Sequence, residues 1–188
     1  MRIVLALFNF LAFEAAWLAA VTGGAAGRGL LLSLPVVAVV AIHLAINRNR
    51  LRSEVGLILA VTLFGILLET GFLGAGLIRY TGMTEGQVLP PVWIAALWFG
   101  FGTLPNACLA WLKGRWFLQA VLGLVSGPLT YWAGVKLGAA TLPDPGAGGA
   151  LFAIGVAWAL ALPAIFLMAE ALSPAAARSA EPRVAASD

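Results

Sequence analysis

The chain has 188 residues, of which 62% are hydrophobic and only 10% are charged, and its formal net charge is +3. A soluble domain carries roughly 25% charged residues, so this composition, with a mean hydropathy of +0.99, excludes a soluble enzyme, a nucleic-acid-binding protein and a disordered chain. An integral membrane protein remains, because a bilayer accepts an apolar outer surface.

Six segments are long and apolar enough to be membrane spans, since a transmembrane helix needs about 20 mainly apolar residues. The sequence therefore predicts an all-α polytopic membrane protein, a bundle of six transmembrane helices over residues 1–172. A polar, flexible tail over residues 173–188 is expected to follow. The predicted spans are Ile3–Val21, Leu30–Ile46, Val55–Ile78, Pro91–Leu112, Trp116–Leu137 and Ala150–Leu172.

The basic residues predict the orientation of these spans. With six spans, one side of the membrane holds eight of the eleven Lys and Arg residues, and the other side holds Arg28, Arg79 and Lys136. Cytoplasmic loops carry the excess of Lys and Arg. We therefore expect both termini in the cytoplasm.

Two carboxyl groups fall deep within the predicted spans. Glu14 lies near the middle of the first span and Glu69 lies deep in the third, on a stripe of small residues that includes Gly65. Ionisable groups inside a membrane are costly and mark functional sites by default. The competing interpretation is that both are protonated packing elements. We expect Glu69 to be protonated or paired with Lys136, and Glu14 to be protonated and hydrogen-bonded to another helix.

The remaining polar and small residues predict how the spans pack. Gly123 and Gly127 have the GxxxG spacing that lets two helices approach closely. Asn106 and His43 lie near the cytoplasmic ends of their spans, where each is either a packing contact or part of a site. We expect the core to consist of the first, third, fourth and fifth spans, with the sixth facing lipid.

No motif of a soluble enzyme is present. A single His and a single Cys do not form a zinc site on their own, and neither a P-loop nor a dinucleotide-binding fingerprint occurs. No metal, cofactor or nucleic acid is therefore expected, and the sequence does not favour an enzyme.

Three stretches of the sequence resemble a known family. They are Asn9-Phe10 with Trp17, the Pro91-to-Trp98 stretch of the fourth span, and Gly127-Pro128-Leu129-Thr130-Tyr131 with the residues up to Ala139. Together they are similar to the bacterial inner-membrane family of unknown function numbered 2878 among domains of unknown function. That pattern has an Asp where this chain has Glu69. The resemblance implies a multi-pass protein of the bacterial inner membrane without a defined activity. Members of the family are often encoded beside enzymes that modify phospholipid acyl chains.

Three functions remain open. The first is binding of a lipid-like molecule in an internal polar pocket, with membrane lipids as partners. The second is an accessory subunit of a membrane enzyme, which would need a protein partner or a homo-oligomer. The third is a proton-coupled transporter with Glu14 or Glu69 as the titrating group. For the first, the expected pocket residues are Glu14, Glu69, Asn106, Tyr131, Trp17, Trp98 and His43.

Overall fold

The computed structural model describes residues 2–173, so the predicted tail lies outside the described residues. This described part of the chain is all-α apart from two short strands. Seven α-helices follow one another: α1 (Arg2–Ala25), α2 (Gly29–Leu32), α3 (Leu34–Ile46), α4 (Leu51–Gly74), α5 (Val92–Phe101), α6 (Trp116–Lys136) and α7 (Ala147–Ala171). Two 3₁₀ turns, Arg48–Arg50 and Ala110–Leu112, and two strands, β1 (Arg79–Tyr80) and β2 (Ala140–Thr141), complete the fold.

Within residues 2–173, four helical segments are long and apolar enough to cross a membrane: α1, the α2–α3 pair, α4 extended to Arg48, and α7. This agrees with an integral membrane protein. Helix α6 has 21 residues, which is also a spanning length, but glycine and polar residues make it less apolar than the other four.

The fourth predicted span is wrong as a continuous helix. Helix α5 ends at Phe101, and the chain continues through turns to the 3₁₀ turn Ala110–Leu112. Gly102 and Pro105 follow directly. Proline lacks a backbone N–H and disfavours helical geometry in the residue before it, so a helix cannot extend regularly through this segment.

The two ends of the bundle are defined by contacts between loops. At one end, here called the strand end, β1 and β2 pair antiparallel with Arg79 opposite Thr141. This pairing brings the ends of α4 and α6 together. At the other end, here called the turn end, Asn106 from the turns after α5 contacts Glu54 at the start of α4. The segment from α5 to α6 therefore passes from the strand end to the turn end.

Helix α7 belongs to the core, so the expectation that the sixth span faces lipid was wrong. Ile154, Ile165 and Phe166 are almost completely buried. The reason is that α6 and α7 form the most extensive helix pair, in which α7 covers the glycine face of α6. Helix α1 packs instead on α2, α3 and α5, and α4 packs on α5 and α7.

Candidate functional site

A cavity of about 610 Å³ lies between α1 and α6, and we call it the α1–α6 cavity. Its floor is formed by residues of α5, including Trp98 and Phe101, and by Trp158 of α7. Phe10 of α1 and Leu129 of α6 both line the cavity and are exposed, so the cavity opens along the side of the bundle. The α1 wall consists of Phe10, Phe13, Glu14, Trp17 and Val21, and the α6 wall includes Ser126, Leu129, Thr130, Ala133 and Gly134.

The dimensions of this cavity suit an elongated guest. From Phe10 to Val21 the α1 wall extends about 16 Å, and from Leu122 to Gly134 the α6 wall extends about 18 Å, at 1.5 Å per residue. This is about half of the ~30 Å hydrocarbon thickness of a bilayer. The cavity is therefore about as long as one leaflet is deep.

Glu69 lies at the strand end of the cavity and is only 3% exposed. One of its carboxyl oxygens, Oε1, accepts a hydrogen bond from Trp98 Nε1 at 3.1 Å and another from the Tyr131 hydroxyl. The other oxygen, Oε2, accepts from the Tyr80 hydroxyl. The structure thus brings the predicted residues Glu69, Trp98 and Tyr131 together on one carboxyl group.

Lys136 does not pair with Glu69, so that alternative was wrong. Its Nζ lies 5.5 Å from the centre of the Trp132 ring, where the ammonium interacts with the aromatic face. Both residues are at the end of α6, and the side chain follows the outside of that helix. Neutral hydrogen-bond donors contact Glu69 where that alternative had placed the Lys136 ammonium group.

Tyr80 is the member of this group that sequence reasoning missed, because it lies outside the spans, in β1. The strand pairing places Tyr80 opposite Ala140, and this turns the side chain inward until only 4% of it is exposed. Burial raises the pKa of its hydroxyl well above the usual value, so Tyr80 remains a neutral donor at physiological pH.

Gly65 explains how Trp98 can reach Glu69. A Cβ atom at Gly65 would lie 1.9 Å from the Trp98 ring, so only glycine allows the indole to lie flat across α4. Trp98 also stacks on Trp158 of α7, with ring centroids 5.2 Å apart and an interplanar angle of 17°. The indole nitrogen of Trp158 is buried and lacks a partner with normal hydrogen-bond geometry in the described part of the chain.

Glu14 lines the same cavity but is not hydrogen-bonded across to another helix, so that expectation was wrong. Its side chain is exposed and faces the cavity. Within residues 2–173 it makes no hydrogen bond and no ion pair. The reason is that α1 and α6 stand apart here, and Trp17, also on the cavity wall, provides no partner for it.

His43 and Asn106 do not reach the α1–α6 cavity. They lie at the turn end around Glu54, which is 2% exposed. His43 Nε2 is 3.0 Å from Glu54 Oε2, and Asn106 Nδ2 donates to both carboxyl oxygens at 3.1 and 3.2 Å. Lys113 Nζ in turn donates to Asn106 Oδ1 at 2.6 Å. This buried network joins α3, α4 and the turns after α5.

Sequence reasoning missed Glu54 because it lies between the basic loop and the predicted start of the third span at Val55. A usable signal was present. His43 precedes Asn47 by four residues, and Glu54 follows Arg50 by four residues. Antiparallel helices joined by a short loop place residues at equal distances from that loop side by side, so this spacing predicts that the two side chains are neighbours.

The glycines of α6 that were predicted to pack lie against α7. A Cβ atom at Gly123 would lie 2.1 Å from the carbonyl oxygen of Trp158, and one at Gly127 would lie 2.5 Å from its ring. These close approaches hold Trp158 in the floor of the cavity. Among the described residues, no group of three His, Cys, Asp or Glu side chains has an arrangement suited to a metal ion.

Comparison with known proteins identifies a family. The sequence model of the family described as "Protein of unknown function (DUF2878)" matches residues 6–164. The chain therefore belongs to this family. No curated protein and no solved structure matches the chain.

Proposed function

We propose that this member of the DUF2878 family is a multi-pass protein of the bacterial cytoplasmic membrane that binds a single-chain, lipid-like molecule in the α1–α6 cavity. The observation that carries the proposal is the cavity itself, which is large, mainly apolar and open to the side of the bundle. Ligand sites of 300–1,000 Å³ with apolar walls and a few polar groups are typical of small-molecule binding.

The position of the opening supports a guest that arrives from the bilayer. Phe10 and Leu129 at the opening are apolar and exposed, and such side chains are stable where they face lipid chains. A molecule already dissolved in the membrane enters between α1 and α6 without crossing a polar barrier. Burial of its chain against the aromatic floor then contributes binding free energy through dispersion contacts.

The polar groups lie where they orient the guest. Glu69 and its three donors are at the strand end, and Glu14 lines the cavity nearer the turn end, one turn from Phe10. The rest of the lining is mainly apolar. An amphiphile with one polar group and one chain fits this arrangement.

A glycine variant tests this proposal. No atom lies within 4 Å of a Cβ built at Gly134, and Gly134 lines the cavity, so the Cβ of Gly134→Phe meets no clash and its ring should obstruct the cavity. Gly71 also has open space but is on α4, outside the cavity, and Gly71→Phe is the matched control. Native mass spectrometry of protein purified in a mild neutral detergent measures bound lipid.

We expect wild type and Gly71→Phe to retain a lipid-like adduct and Gly134→Phe to lose it. An equal adduct on Gly134→Phe contradicts binding in this cavity. Co-purification of a membrane protein in place of a small adduct would instead support the role of an accessory subunit.

A further inference from the structure

The α1–α6 cavity contains acidic groups and, among the described residues that line it, no Lys, Arg or His. Its two ionisable carboxyl groups are Glu14 and Glu69. An anionic headgroup, such as a carboxylate or a phosphate, would find no cation there to offset its desolvation. The lining therefore selects against fatty acids and phosphate headgroups.

The two carboxyl groups differ in whether the protein supplies them with hydrogen-bond partners. Glu69 accepts three hydrogen bonds from Tyr80, Trp98 and Tyr131, so protein donors already satisfy it. Glu14 has neither a hydrogen bond nor an ion pair within the described residues. Acidic groups within membrane segments nearly always have a partner, and the guest is the group positioned to provide one.

Aromatic side chains surround the unpaired carboxyl group. Phe10 and Trp17 lie one turn before and one turn after Glu14 on the same helix, and all three line the cavity. A cation is attracted both to a carboxylate and to the faces of aromatic rings. A neutral hydroxyl group gains only a hydrogen bond in the same place.

We infer that the guest of the α1–α6 cavity is a cationic amphiphile, a single-chain molecule with an amine group that binds at Glu14. This inference rests on the proposed function and adds the class of headgroup. The amine lies against Glu14, between the rings of α1, and the chain extends along the apolar walls of the cavity.

Three probes with the same brominated C16 chain test the inference: the alkylamine, the alkanol and the alkanoate. At pH 8 they are cationic, neutral and anionic. Bromine quenches tryptophan fluorescence on contact, and Trp17, Trp98 and Trp158 line the cavity. Each probe is titrated into the protein in neutral maltoside micelles. The quenching measured with Gly134→Phe is subtracted from that of wild type, and the difference reports binding in the cavity.

The inference predicts that the amine binds at least tenfold more tightly than the alkanol, and the alkanoate more weakly than both. In Glu14→Gln the affinity for the amine should fall about tenfold, and that for the alkanol should stay within twofold. Glu14→Asp should retain the preference for the amine. Glu85→Gln, which removes an exposed carboxyl group outside the cavity, should behave as wild type.

Two outcomes overturn the headgroup inference while the proposed function stands. In the first, the alkanoate binds as tightly as the amine. In the second, the alkanol still binds, but Glu14→Gln leaves the preference for the amine unchanged. If none of the three probes quenches wild type more than Gly134→Phe, both the inference and the proposed function are wrong. Because Glu14 is exposed, its variants should unfold at the wild-type temperature, which the same samples verify.

Discussion

At the scale of single residues, three carboxyl groups of the described chain illustrate three ways of placing an acid in an apolar protein. Glu69 is surrounded by neutral donors, Glu54 by a histidine and an amide, and Glu14 by open space within a cavity. The first two are satisfied by the protein and hold helices together. Of the three, Glu14 alone has no hydrogen-bond or ion-pair partner among the described residues.

The Glu69 group predicts a measurable stability. In Glu69→Ala the donors of Tyr80, Trp98 and Tyr131 lose their common acceptor, and each buried unpaired donor costs about 1–3 kcal/mol. We expect the free energy of unfolding to fall by roughly 3 kcal/mol or more, measured by thermal or denaturant unfolding in detergent.

Glu69→Gln should be milder, because its amide oxygen can still accept hydrogen bonds, and Glu85→Ala, at an exposed position, should have no effect. Wild-type stability in Glu69→Ala would show that water entering from the cavity replaces the carboxyl group at no cost, which would contradict the assigned role.

At the scale of helices, the contact between α6 and α7 depends on glycine at particular positions. Gly123 lies against the backbone of α7, since its Cβ would be 2.1 Å from the Trp158 carbonyl oxygen. A backbone atom cannot rotate away as a side chain can. The helices must separate to accept even one methyl group, and Trp158 would then leave its stacked position on Trp98.

Gly123→Ala should therefore destabilise the protein by about 1–3 kcal/mol, as overpacked interiors do. At Gly71, where no atom lies near the built Cβ, the same substitution should stabilise α4 by about 0.8–1.0 kcal/mol, since alanine is the better helix former. Unfolding of the two variants in one detergent gives the comparison. A stability gain in Gly123→Ala equal to that in Gly71→Ala would contradict close packing at this position.

The helices also show what the sequence predicted and what it did not. Runs of apolar residues located α1, α3, α4, α6 and α7 to within a few residues, because the hydropathy of a span is a local property. The early end of α5 was missed, although Gly102 and Pro105 were visible, because the apolar run continues past them. The burial of α7 and the inward turn of Tyr80 depend on contacts between distant segments, and hydropathy alone contains no information about those.

At the scale of the whole molecule, the strand end and the turn end differ in charge. The loops at the turn end carry Arg48, Arg50, Lys113 and Arg115, with Arg52 in the first turn of α4. The strand end carries Arg79, Lys136 and, beyond α1, Arg28. Basic residues in short loops remain on the cytoplasmic side, so we expect the bundle to be inserted with the Glu69 end of the cavity toward the outer face.

This orientation gives the last prediction. Gly146 lies between β2 and α7 at the strand end, and Ser173 follows α7, so the two positions should be on opposite sides of the membrane. Alkaline phosphatase, which is active only outside the cytoplasm, should be active when fused at Gly146. A fluorescent protein that folds in the cytoplasm should fluoresce when fused after Ser173. A fusion at Gly114, in the loop before α6, is the internal control and should match Ser173, because both are at the turn end. Phosphatase activity at Gly114 or Ser173 would show that the bundle is inserted the other way round, with the Glu69 group facing the cytoplasm.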